Sequence, residues 1–400
     1  MVAALSGPDY QVTHAPLGTR FRVFPQPPFV PGYERPETIW IASPPGLIGS
    51  GPADDRMYVV DPIEPKAPYA YPVLPPYSGN VYEPAHPNAD GHFDEIPINS
   101  RSFLSAHLYA CVRRVWDVCQ GYLGEPIDWY FEDTHPRLEL VPLVPWDNAH
   151  TGYGFIEMGE DGVQGQPFPL ALSFDAIAHE TAHLALHGVM GIPDDLRTLA
   201  DYQAYHESMA DIISVLSLLS FESVRDRVLF KTKGNLFLVN ELDRFAELSD
   251  ERQIRVLSHS LKQSDVGHEV HDRSKPLSGA LFDTLIEMFH LLLFERGLSG
   301  FDISGIMDLR VQLSDSEIQA QLATSRRDFE LRQRPMSAAL AEARDLLGEA
   351  ILRSWTMLSP NDVSLPKAAE VLVVAAEQGR ARRFADRLAY NLHWRGLLMI

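Results

Sequence analysis

Apolar residues recur at three- and four-residue intervals through 103–119, the spacing that lays one stripe along an α-helix, and Gly121 and Gly124 predict its end. Upstream the pattern differs. Short β-like pieces at 20–24, 38–42 and 57–60 are separated by prolines, and well over half of the 30 prolines fall in the first 98 residues, where helix is disfavoured. Tyr58, Tyr69, Tyr71, Tyr77 and Tyr82 argue against plain disorder there. This block reads as a long arm wrapping the core or as a small β-domain with extended edges.

Downstream of the first helix, 127–131 and 138–143 read as strands. Residues 146–159 alternate enough for another, followed by a turn at 160–162. A helix is predicted over 174–188: Ile177, Leu184 and Leu186 are apolar, Ser173 or Asp175 can cap the start, and Gly188 can end it. Past a linker at 192–195 the chain reads as mostly helical, with helices at 199–221, 223–230, 241–248, 253–261 and 278–294. A charged excursion at 314–334 precedes three more, at 336–358, 365–379 and 380–398. The pattern thus divides the chain into a Pro-rich block (1–98), a β-containing part (99–190) and an all-helical part (191–400).

Composition narrows the partners. The net charge of −20 would repel a phosphate backbone or an anionic bilayer, which argues against nucleic-acid and membrane partners. The longest apolar runs, such as 212–221 and 288–294, are too short to span a bilayer. The first eight residues lack a basic region and a long apolar run, so no secretory signal is read; a soluble, cytoplasmic protein is expected, with another export route left open. Cys111 and Cys119, eight residues apart on one predicted helix, would lie about 12 Å apart, too far for a disulfide.

The candidate chemistry centres on His179-Glu180-Thr181-Ala182-His183. Two histidines one helical turn apart project from the same face and can grip one Zn²⁺, with Glu180 beside the metal as a base on its water. The bland alternative is a surface helix with scattered His and Glu. A catalytic zinc takes three protein ligands and an open position. The best third candidate is Glu207, with Asp211 one turn further on to accept a ring N–H, most simply that of His179. On their own, Glu207 and Asp211 would read as the wet side of an amphipathic helix. Rivals are weaker. Three histidines in successive turns of a straight helix do not converge on one ion, which disfavours His187, and His206 points about 100° away from Glu207. The metzincin pattern fails at Leu186 and Val189. For an oxyanion donor, the segment 267–274 offers His268 and His271, of which His271 is preferred, with Asp265 or Glu269 to hold it. Arg255 could add a positive donor, although its own pattern is that of a helix-surface arginine. His107 reads as a packed or surface helix residue.

These residues resemble the thermolysin-like zinc peptidases, a gluzincin family. Besides the His-Glu-x-x-His stretch, 207–211 is similar to that family's Glu-x-x-x-Asp helix. Asn148-Ala149 is similar to its substrate-binding edge strand, 105–110 to its early helix, 254–258 and 270–271 to the segments carrying the oxyanion Arg and His, and 346–360 to a late helix and its stop. The likeness spans roughly 100–400, with gaps. It implies an α+β, two-lobed fold with a β-containing N-terminal lobe, a helical C-terminal lobe and a Pro-rich N-terminal extension. It further implies Zn²⁺ on His179, His183 and Glu207, Glu180 as general base, His271 and Arg255 on the oxyanion, and Asn148 and Ala149 against an extended peptide or protein substrate. The span from His183 to Glu207 and the stretches after 271 and over 297–334 are longer than the family pattern. Asp175 stands where a calcium ligand is expected, but Leu218 occupies the place of a second acidic ligand, so no calcium site is carried over. The resulting expectation is a zinc endopeptidase. An aminopeptidase or other zinc hydrolase ranks lower, since no Gly-x-Met-Glu-Asn-like element is present. A non-catalytic scaffold of the same fold is the alternative from another class, and Glu180 speaks against it.

Overall fold

The computed structural model describes residues 18–163, 166–194, 200–238, 240, 242, 244–249, 252–300 and 315–399. The fold is mixed, with eight α-helices and several small sheets among these residues. The chain divides into two compact units, Met1–Gly191 with Ala246–Ile254, and Ile192–Phe245 with Arg255–Ile400.

In the first unit, β1 (Thr19–Val23) and β2 (Glu37–Ile41) form an antiparallel hairpin. Phe21 on β1 stacks between Phe93 and Tyr109, at 4.7 and 5.7 Å. Helix α1 (Arg101–Leu123) starts at Ser100, whose side chain accepts from the Phe103 N–H, and ends at Gly124, where a φ of 82° lets the chain close back on Gln120. The helix runs through Gly121 before it stops. His107 is a packed residue: it is fully buried, and its Nε2 accepts the Phe24 N–H at 2.9 Å. Burial pushes its pKa down to about 4. Cys111 and Cys119 are free thiols, both buried.

A four-stranded sheet has the order β3 (Met57–Val59), β4 (Leu138–Val141), β6 (Phe155–Met158), β5 (Ala149–Gly152). The segment read as one strand over 146–159 is therefore the β5–β6 hairpin, because Gly154 takes a φ of 91° and reverses the chain. The predicted turn at 160–162 is instead strand β7 (Glu160–Val163), paired with β8 (Gln166–Pro169). Residues 127–131, read as a strand, alternate in burial, with Ile127, Trp129 and Phe131 buried, but they form no strand, and the Trp129 indole donates to the Arg56 carbonyl.

β3 belongs to the Pro-rich block, and the block also covers one face of the sheet. Glu139 on β4 and Glu157 on β6 are fully buried there. Glu139 accepts from the hydroxyls of Tyr58 (2.7 Å) and Tyr69 (2.6 Å) and from the Tyr77 N–H (2.9 Å). Glu157 accepts from the Lys66 ammonium, the Tyr69 N–H (2.7 Å) and the His150 ring (2.7 Å). Tyr69 packs beside Val141, Val144 and Phe155, so the polar anchors sit within an apolar layer.

The second unit is built on α3 (Ala200–Leu218), α4 (Glu222–Thr232), α5 (Val270–Glu295), α6 (Asp315–Trp355), α7 (Leu365–Gln378) and α8 (Ala385–Trp394). Helix α6 breaks at Arg332, three residues before Pro335. Helix α5 packs along α3, joined by a Ser208 hydroxyl that donates to the Ser274 carbonyl at 2.9 Å. At 26 residues α5 is longer than the predicted 278–294 and is apolar enough to cross a bilayer by length and composition, yet 83% of its most apolar window is buried against protein. The helices predicted at 241–248 and 253–261 give way to the strand pair β9 (Arg244–Ser249) and β10 (Arg252–Val256). Ile254 and Val256 are β-branched and two apart, a strand period that a short apolar run leaves open to either reading.

Burial raises the Glu157 pKa, but the hydrogen bonds from His150 and Lys66 outweigh it and hold the group below its ordinary 4.5. A lowered folded-state pKa stabilises above the unfolded value, and that contribution is lost as pH falls through the folded one. The urea-midpoint gap between wild type and Glu157→Gln is therefore expected to be largest near pH 7 and to shrink below about pH 4. A gap independent of pH would show that the buried carboxylate is not the charged anchor of this layer.

Candidate metal centre

The motif helix α2 runs over Phe174–Met190, with Asp175 in its first turn where a carboxylate suits the helix dipole. Ser173 does not cap with its side chain; its hydroxyl donates to Asp175 Oδ1 at 2.6 Å. Gly188, read as the stop, lies inside the helix, which ends against Gly191. A Cβ at 188 would stand 2.5 Å from the Asp128 carbonyl oxygen and 2.7 Å from the Ile127 side chain. The residue is thus small so that segment 127–131 can lie on the helix.

The opposing side chains of α2 are apolar and buried, among them Ile177, Ala178, Ala182, Leu184 and Ala185. This leaves His179 and His183 at one turn's spacing, each only 6% exposed. Their rings stand at 86° with Nε2 facing Nε2 at 3.0 Å. Two nitrogens so placed either share one proton or offer two lone pairs to one cation. Tetrahedral zinc with nitrogens at 2.0–2.1 Å would set them about 3.3 Å apart, so the pair is already close to a chelating spacing. Glu180 follows on the same helix and is half-buried.

Glu207 lies on α3, with its side chain 16% exposed. His271 occupies the first turn of α5. Its Nε2 stands 3.6 Å from Glu207 Oε2, and its Nδ1 is 2.8 Å from Glu269 Oε1. Glu269 caps α5 by accepting the Asp272 N–H, and the His271 bond together with this cap pulls its pKa down to about 2. Both histidines considered are exposed, and His271 is the one that lies beside Glu207. Asp211 is 2% exposed and accepts from the Ser278 hydroxyl at 3.3 Å. The rival His206 stacks on Tyr202 at 5.8 Å, one turn back along α3, and His187 turns towards Tyr130 at 6.3 Å. Arg255 falls in β10, not on a helix surface, and its side chain lies outside the described residues.

One group among the described residues could hold a metal ion: His179, His183 and Glu207 each offer a ligand atom, and these atoms lie within 4.8 Å of one another. Two imidazoles and a carboxylate are a donor set suited to Zn²⁺. Ala149 opens β5, which is the last strand of its sheet, and Asn148 beside it is exposed, its carbonyl accepting the Gly159 N–H. The sequence reading missed His150, which the buried Glu157 holds on this strand, and Tyr130 and Tyr153 near the end of α2. Only the outward phase of 127–131 signalled Tyr130 in advance.

No family model matches the chain, and no curated protein matches it. Among solved structures, it is similar to a precursor of protealysin, a metalloproteinase from Serratia proteamaculans, with 13% identity, a TM-score of 0.48, and coverage of 85% of this chain and 86% of that one.

Gly188→Ala is expected to push segment 127–131 off the helix. The cost should be about 1–3 kcal/mol, read as a lower urea midpoint. An unchanged midpoint would mean that the close approach is not needed.

Proposed function

We propose that the protein is a zinc-dependent endopeptidase. The observation that carries this reading is the His179–His183 pair, two buried nitrogens 3.0 Å apart on one helix face with Glu180 next to them. His179, His183 and Glu207 are assigned as the ligands, supported by the spacing of their donor atoms. Asp211 is assigned to orient the His179 ring. Bound Zn²⁺ would polarise a carbonyl and lower the pKa of a water at the site.

The chain's own groups then have separate tasks. Glu180 takes the proton of the attacking water and delivers it to the amine that leaves. His271, held through Nδ1 by Glu269, points Nε2 towards the Glu207 side and donates to the carbonyl oxygen as it gains charge. Arg255 is assigned to the same oxygen. The peptide backbone extends β5 at Asn148 and Ala149, on the side of β5 away from β6, where the sheet ends among the described residues. A substrate bound this way is extended, so unfolded proteins and flexible loops are the substrate class.

Glu180→Gln is expected to bind Zn²⁺ as the wild type does and to lower cleavage of an unfolded protein by at least about 100-fold. Equal, chelator-insensitive behaviour of both proteins would instead make the chain a scaffold. Glu207→Ala is expected to leave a two-histidine site with zinc affinity weakened at least about 100-fold by metal-buffered titration. Unchanged affinity would remove Glu207 from the ligand set.

A further inference from the structure

Two tyrosines close to the motif helix remain outside the chemistry just described. Tyr130 is 42% exposed and Tyr153 is 38% exposed, and their rings meet edge to face at 6.3 Å. Tyr153 also packs on Phe131 (5.8 Å) and His135 (5.7 Å), and Tyr130 faces His187. Single exposed aromatics are ordinary on a protein surface, but this group is built. Trp129 anchors Tyr130 from behind: its ring lies 3.9 Å from Trp116 and its indole donates to the Arg56 carbonyl at 2.9 Å. The close approach of Asp128 at Gly188 sets the same segment on α2. Tyr153 is fixed by the turn, since a Cβ at Gly154 would stand 2.8 Å from the His135 ring. Both rings are therefore held in place before anything binds, and their loss of freedom on binding is small.

Their position relates them to β5 and to the motif. Tyr153 immediately follows β5, so it lies about 13 Å along the strand direction from Ala149. A peptide laid along β5 would carry a side chain past it three or four residues from the one beside Ala149. On the helix, His187 is one turn, about 6 Å, beyond His183.

Resting on the peptidase reading above, we propose that Tyr130 and Tyr153 form an aromatic subsite that selects extended peptides carrying a large apolar or aromatic side chain a few residues from the bond cut. An edge-to-face tyrosine pair offers a ring face and a ring edge to an incoming aromatic group, with two hydroxyls at the solvent rim.

The test uses the full-length zinc-loaded chain and a series of quenched fluorescent peptides with one common core. Phe is moved through each position two to four residues on either side of the cut, with Ala as reference. One position should show a kcat/KM for Phe about tenfold above Ala in the wild type, and this ratio should collapse towards one in Tyr130→Ala and Tyr153→Ala. Tyr153→Phe should retain it. Cleavage in which the variants keep the wild-type ratio overturns the subsite and leaves the peptidase reading standing. The same peptides are titrated against the Glu180→Gln protein by fluorescence anisotropy, alone and with each tyrosine variant added. If nothing is cleaved, but Phe peptides bind more tightly than Ala peptides and lose that margin in the tyrosine variants, the subsite stands and the peptidase reading falls. If neither cleavage nor a binding margin is seen, both fall.

Discussion

Two imidazole nitrogens facing each other across 3.0 Å on one buried helix face form the constraint around which the molecule makes chemical sense. Buried histidines ordinarily find a backbone partner, as His107 does with Phe24. A pair turned on each other can share a proton or a cation between the facing nitrogens. Everything on α2 serves that presentation. Ile177, Leu184 and Ala185 pack it from other sides, its first turn carries Asp175, and Gly188 allows a neighbouring backbone to lie against it and hold it in position.

The sheet beside this helix solves a related problem. Glu139 and Glu157 are carboxylates with no exposure at all, which is costly unless each lone pair has a donor. The Pro-rich block provides most of those donors through Lys66, Tyr58, Tyr69 and the Tyr77 N–H. Proline suits this work, because an extended chain without regular ladders leaves N–H groups and side chains to point where the carboxylates need them. His150 gives Glu157 a further donor and ties the last strand into the same network. An edge strand is a liability unless its shape is firmly held, and that network holds it.

How far the sequence could be read depended on the range of the interaction. Local periods carried the helices over 101–123, 174–190 and 200–218 and the first three strands, since a 3.6- or 2-residue repeat is visible within one element. Failures came where a local pattern has two solutions. Residues 127–131 have the alternation of a strand without its partner, 146–159 hide a reversal that depends on the φ of one glycine, and 244–256 present short apolar runs compatible with either period. The His271 ring stands within 2.8 Å of Glu269, two residues before it.

The sequence by itself determined which groups are on offer: two histidines and a glutamate at helical spacing, a downstream Glu-x-x-x-Asp stretch, and a net charge of −20. These are facts of residue type and local repeat, which the chain carries wherever it folds. Only the tertiary structure decided that Lys66 would meet Glu157 ninety-one residues away, that Gly188 marks a close approach and not a helix end, and that Tyr130 and Tyr153 share a surface. Contacts of that kind depend on which elements pack together, and no periodicity along the chain encodes a partner so distant in sequence.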